Sequence, residues 1–185
     1  MEDKNIVPAD IIMVLDASGS MRKSKHKAIC GYNSFLKLQK AIKGQAFLTT
    51  IFFSNEIKTV HDRIDINYAM PITAKEYNPG DATALLDAIG EAIKKADMAG
   101  NPRTMIGIIT DGFENASSKY TYLQIKSMAE QRQKENRLQF VFFSLNIDAM
   151  FEASRIGIPS QIISSDGKLD FSAISLAVEN FRNNA

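Results

Sequence analysis

Cysteine occurs once in the 185 residues and histidine twice. A single thiol cannot close an internal disulfide, so the fold must rest on its apolar core. Cys30 has Ala28, Ile29 and Tyr32 for neighbours, a setting expected for a buried, inert thiol inside a helix. So few histidines and cysteines make a zinc centre improbable. His26 and His61 have no carboxylate or serine that the sequence places beside them, and are expected at the surface or on an edge strand. Lys and Arg number 22 against 21 Asp and Glu, a net charge of +1, so there is no global field to gather nucleic acid or membrane. The phosphate loop Gly-x-x-x-x-Gly-Lys is missing, and no aromatic residues interleave with the basic run at 22–27, which further disfavours a nucleic-acid partner. The longest apolar stretches, 11–15 and 140–143, fall far short of the roughly 20 residues that span a bilayer. The opening MEDKNIVPAD lacks the basic start and apolar stretch of a secretory signal, which makes a soluble, cytoplasmic protein the expectation.

What is present is a chain 45% hydrophobic and 23% charged, with no repeat and no linker-like tract, enough for one domain over 1–185. The apolar runs at 10–15, 46–53, 105–110 and 138–145 are short, rich in Ile, Val, Phe and Thr, and mostly do not alternate with polar residues. They read as strands buried on both faces, the habit of a mainly parallel sheet. A weaker fifth lies at 161–165. The segment 56–64 does alternate and follows its predecessor after two residues, which predicts an antiparallel hairpin partner at the sheet edge. Helical spacing appears at 27–42 (Ile29, Phe35, Leu36, Leu38, Ile42), 83–98 (Leu85, Leu86, Ile89, Ile93, Met98) and 120–135 (Leu123, Ile125, Met128, Ala129). Shorter helices follow around 148–155 and 171–182. Strands alternating with helices predict an open α/β sheet with helices on both faces.

Chemistry collects at strand ends. Asp16-Ala17-Ser18-Gly19-Ser20 ends the first strand, Pro79-Gly80-Asp81-Ala82-Thr83 precedes the second long helix, and Thr110-Asp111-Gly112-Phe113-Glu114-Asn115 ends a later strand; Asn146-Ile147-Asp148 is a weaker fourth. In open α/β sheets ligands sit beyond the carboxyl ends of the strands, where strand order reverses. Two carboxylates and several hydroxyls meeting there make a hard-oxygen donor set for Mg²⁺, Mn²⁺ or Ca²⁺. Residues 16, 18 and 20 can point to one side of the turn, with Gly19 supplying a backbone conformation that other residues resist. Thr83 suits a helix N-cap, its hydroxyl otherwise being available to a cation.

These residues carry a resemblance. "DASGS", Thr83 in "PGDATALLDAI" and Asp111 in "TDGFEN" are similar to the metal-ion-dependent adhesion site of the von Willebrand factor type A (VWA) domain family, over residues 10–181 and especially its small stand-alone bacterial and phage members. The resemblance implies a doubly wound, three-layer Rossmann-like sheet of six strands, order 3-2-1-4-5-6, with strand 3 antiparallel. It also implies that Asp16, Ser18, Ser20, Thr83 and Asp111 hold Mg²⁺ directly or through water, and that the last coordination position goes to water or to a partner's carboxylate.

The expected function is therefore a metal-dependent protein-binding module and not an enzyme. Arg22, Lys23, Lys25, Asp81, Glu114 and Asn115 are candidates for the rim that meets an acidic partner. Asp81 is expected to face solvent, Asp87 to stabilise the first turn of its helix, and Glu114 and Asn115 to flank the ligands or hold the loops. The alternative is a Mg²⁺-dependent hydrolase or phosphatase with Asp16 as nucleophile. Serine at 18, where such enzymes usually carry a second Asp, weighs against it. A third possibility is a structural subunit with a vestigial site.

Overall fold

The computed structural model describes residues 7–183 except 102, 136, 137, 145, 163, 166, 167 and 170. Strands β1 (Ala9–Asp16), β2 (Ala46–Phe53), β3 (Ile57–Asp65), β4 (Thr104–Thr110) and β5 (Leu138–Ser144) form the body of a mixed sheet in the order β3-β2-β1-β4-β5. All pairings are parallel except β2 with β3, so the 56–64 segment is the antiparallel edge that its alternation predicts. A three-residue strand β6 (Ser160–Ile162) pairs parallel with the end of β5. Residue 163, within the weaker strand expected at 161–165, lies outside the described residues.

β1 explains the rest of the architecture. It is central, every one of its eight residues is buried, and its side chains divide by a period of two between the two faces. Ile11, Met13 and Leu15 enter a core shared with α1 (Lys25–Ala41) and the terminal helix, Phe171–Asn183. Ile12 and Val14 enter a second core with α2 (Leu85–Ala99), α3 (Tyr122–Lys134) and α4 (Ile147–Arg155). The terminal helix is α5. Because α1 leaves β1 for one face and α3 leaves β4 for the other, the carboxyl ends of these neighbouring strands splay into a crevice.

Several side chains depart from the sequence expectation. Leu38 and Leu123 are exposed, since the inward stripes are narrower than periodicity alone indicates: α1 buries Ala28, Tyr32, Phe35, Leu36 and Gln39, and α3 only Ile125 and Ala129; Met98, also exposed, lies in the last turn of α2, past a buried stripe that ends at Ala96. Cys30 falls outside the α1 stripe and is exposed, not buried. His61 does lie on the edge strand, but its ring is turned inward. It contacts the Thr50 hydroxyl at 3.0 Å and the Met70 carbonyl at 3.0 Å, while the Tyr32 hydroxyl lies 2.5 Å from Thr50 Oγ1. Burial holds the His61 pKa below its ordinary value and pushes the Tyr32 phenol up. Among the described residues, no helix is long and apolar enough to cross a membrane.

α1 and α5 approach closely at Gly31, where an added Cβ would lie 2.1 Å from the Phe171 ring of α5. Gly31→Ala is therefore expected to cost about 1–3 kcal/mol through overpacking. In urea unfolding this appears as a lower midpoint at unchanged m. An unchanged midpoint would mean that α5 does not press on α1 at this point.

Candidate functional site

Asp16 is the last residue of β1 and only 1% exposed, because β2 and β4 flank it. A carboxylate taken out of water needs donors, and the chain supplies them from both sides. The Ser18 N–H donates to Oδ1 at 2.7 Å, and the Thr110 hydroxyl, from the end of β4, donates to Oδ2 at 2.5 Å. The Tyr77 hydroxyl donates to the Asp16 main-chain oxygen at 2.5 Å. From there the Ser18 and Ser20 hydroxyls stand 3.0 Å apart, and Ser20 donates to Asp111 Oδ1 at 2.6 Å. Asp111 is anchored in turn by Asn146, whose Nδ2 donates to its carbonyl at 2.6 Å.

Thr83 arrives from the loop before α2. A Cβ placed on Gly112 would lie 3.7 Å from Thr83 Oγ1 and 4.0 Å from Asp16 Oδ2, so both oxygens face the same small space. Thr83 is not the N-cap of α2; that position is Ala84, and the Thr83 hydroxyl makes no hydrogen bond among the described residues. The structure thus brings together all five residues marked by the sequence: Asp16, Ser18, Ser20, Thr83 and Asp111.

The loops carrying these groups are bolted to one another. Asn115 accepts from the Thr83 N–H at 2.8 Å and its own N–H donates to the Thr83 carbonyl at 3.0 Å. Glu114 accepts from the N–H groups of Leu86, Ala116 and Ser117, which puts a carboxylate at the positive end of α2. Asp87 lies in the first turn of α2 as expected, and its carboxylate accepts from the N–H groups of Ser118, Lys119 and Tyr120. The Gly80 N–H donates to the Ala17 carbonyl at 2.7 Å, and a Cβ on Gly80 would sit 2.6 Å from Ser54 Oγ, so only glycine fits. Gly19 makes a close approach and does not use a special backbone conformation. Its φ lies outside the left-handed region, and a Cβ there would come within 3.3 Å of the Gly80 carbonyl.

On the rim, Arg22 pairs with Asp81 and also donates to the Gly80 carbonyl at 3.2 Å. Asp81 faces solvent as expected, and a pair this exposed contributes little stability. Lys25 donates to Asn78 Oδ1 at 3.3 Å, and Lys23 is exposed. Glu114 and Asn115, candidates for the same rim, spend their side chains on the bolts just described.

Burial pushes the Asp16 carboxyl up to about 6, against the pull of its Thr110 and Ser18 hydrogen bonds, and the nearby Asp111 charge adds to the rise. A divalent cation would relieve that cost. Two carboxylates and three hydroxyls, one of them without a hydrogen bond among the described residues, form a hard-oxygen donor set that fits Mg²⁺. Among the described residues no group of three His, Cys, Asp or Glu side chains comes together to hold a metal, so any cation here depends on the hydroxyls. Thr110 and Tyr77 were not identified from sequence as partners of Asp16. Thr110 adjoins Asp111 and was within reach of inspection, whereas Tyr77 lies 61 residues from Asp16 with no local signal.

The Asp16 shift carries a signed prediction. A carboxyl raised on folding gives stability that is fully present below its unfolded value of 3.8 and lost as pH rises through about 6. In chelator at pH 7.5, Asp16→Asn is therefore expected to gain up to about 3 kcal/mol by urea unfolding, a gain that fades by pH 4. A variant no more stable than the parent at pH 7.5 would contradict the strain assigned to this carboxylate.

No protein-family model matches the chain, and no match was found among the curated proteins. Solved structures do share its shape. The PilB minor pilin from Streptococcus sanguinis aligns with a TM-score of 0.69 at 13% identity, covering 100% of this chain and 62% of that one. A von Willebrand factor type A protein from Catenulispora acidiphila aligns with 0.62 at 16% identity, over 96% of this chain and 42% of that one. The conserved hypothetical protein BatB from Bacteroides thetaiotaomicron aligns with 0.63 at 19% identity, over 95% and 99%. The chain thus spans less than two thirds of the first two. At these identities the likeness establishes the architecture: the fold is VWA-like.

Proposed function

We propose that this domain is a metal-dependent protein-binding module. Asp16, Ser18, Ser20, Thr83 and Asp111 hold a divalent cation, Mg²⁺ by the chemistry of their oxygens, and a carboxylate from a protein partner completes its shell. The observation that carries the proposal is the convergence of five oxygen-bearing side chains from three separate segments, with the Thr83 hydroxyl making no hydrogen bond among the described residues and Asp16 held above its ordinary pKa. The cation would act as a bridge between the Asp16 and Asp111 carboxylates of this chain and the carboxylate of its partner.

The chain's own residues perform the remaining tasks. Thr110 and Ser18 orient the Asp16 carboxylate, Asn115 sets the height of Thr83, and Asn146 restrains Asp111. VWA-like neighbours that include a minor pilin support a protein as the partner. The hydrolase alternative is weaker, because both Asp16 carboxylate oxygens are engaged by donors and neither donor is a lysine, histidine or other general acid–base group. We take the module to be non-enzymatic.

Titration calorimetry with Mg²⁺ and Mn²⁺ tests this. The parent is expected to bind one ion, and Thr83→Ala and Asp111→Ala to bind it at least about tenfold more weakly, with unchanged circular dichroism. Absence of binding heat at millimolar metal would contradict the proposal. So would Mg²⁺-dependent turnover of a phosphate ester that Asp16→Asn abolishes, since that result establishes the hydrolase instead.

A further inference from the structure

The rim of the candidate site is chemically two-sided. Beside Ser20 the surface is polar and cationic, with Arg22 paired to Asp81, Lys25 on Asn78, and Lys23 exposed in the same turn. Toward α4 three large apolar residues are exposed, beside the exposed Asn146 and Asp148. Phe113, two residues after Asp111, is 47% exposed, and Ile147 and Phe151 are 77% and 59% exposed. The Asn146–Asp111 hydrogen bond draws the start of α4 against the site loop, so Ile147 is one residue and Phe113 two residues from that bond. Ile147 and Phe151 are four apart on α4 and lie on one face, one turn above the other. Ala149, Glu152 and Ala153 face the interior, so the apolar outer face is not required by packing.

Single exposed apolar side chains are ordinary, but three bordering a cluster of buried polar groups form a patch of the kind that meets a partner. Resting on the binding-module proposal, the geometry points to one kind of occupant. It is an acidic partner segment that gives an Asp or Glu to the site and seats a neighbouring Phe, Leu or Ile on Phe113, Ile147 and Phe151. At ~3.3 Å per extended residue, an apolar side chain within about three positions of the acid reaches the patch. Lys23, exposed in the turn that carries Ser20, sets the direction of the proposed segment: apolar residues toward α4, further acidic ones toward that turn.

The test is a displayed peptide library with a fixed central Asp and random flanks, selected on the full chain in Mg²⁺ and in chelator. The expected result is Mg²⁺-dependent enrichment of peptides with Phe, Leu or Ile within three positions on one side of the Asp. The best synthetic peptide should bind Phe113→Ser and Ile147→Ser about tenfold more weakly while keeping its Mg²⁺ requirement. Phe151→Ser serves as an independent variant, and all three positions are exposed enough to leave the fold intact. Mg²⁺-dependent peptides with no apolar preference, or with full affinity for all three variants, overturn this inference and leave the binding module standing. Peptides held equally in chelator, or none retained, overturn the binding module and this inference with it.

Discussion

A carboxylate buried at the end of a central strand governs this molecule. β1 has a parallel partner on each side, and its last residue, Asp16, is buried among groups from β4 and the loops beyond the sheet. An unsatisfied charge there would cost several kcal/mol. The neighbouring elements answer it with Thr110 from β4, the Ser18 amide from the outgoing turn, and Tyr77 on the main-chain oxygen. Those three contacts bind β1, β4 and the segment before α2 to one point. Those hydrogen bonds do not fully offset burial, which still holds the Asp16 carboxyl above its ordinary pKa.

That cost can be carried because the surrounding loops are held by hydrogen bonds that do not depend on the site being filled. Glu114 and Asp87 exchange positions, each carboxylate accepting from the backbone across the boundary between α2 and the loop that follows β4. Asn115 extends the same bolt to Thr83 through two hydrogen bonds. Donors held in place this way need little rearrangement to accept a ligand, which favours affinity. The Arg22–Asp81 pair differs in kind. It is exposed and screened by salt, and it closes the turn without adding appreciable stability.

Much of this was legible in the sequence for physical reasons. Unbroken apolar runs such as 11–15 mark strands buried on two faces, and alternation in 56–64 marks an edge, since each pattern follows from which faces meet water. The candidate residues were legible because oxygen-bearing side chains at two strand ends and at the entry to α2 have one topological meeting place. What escaped was whatever depends on distant contacts. Cys30 and Leu38 look inward by composition, but the buried stripe of α1 is set by α5 and the sheet, and it passes them by. His61 sits on an edge strand yet is enclosed by Tyr32 and the Met70 carbonyl, neither of which its neighbours in sequence reveal. Gly19 suggests a special backbone conformation, but its constraint is a close approach to the Gly80 carbonyl, 61 residues away in the chain.

The central claim is that one hard divalent ion sits where Asp16, Thr83 and Asp111 converge. Diffraction from crystals grown in Mn²⁺, recorded at the manganese absorption edge, addresses it most directly. The account predicts one anomalous peak in the space beside Gly112, within coordination distance of the Ser18, Ser20 and Thr83 hydroxyls. Density confined to surface carboxylates elsewhere, with these hydroxyls still bonded to one another and to Asp111, would contradict it.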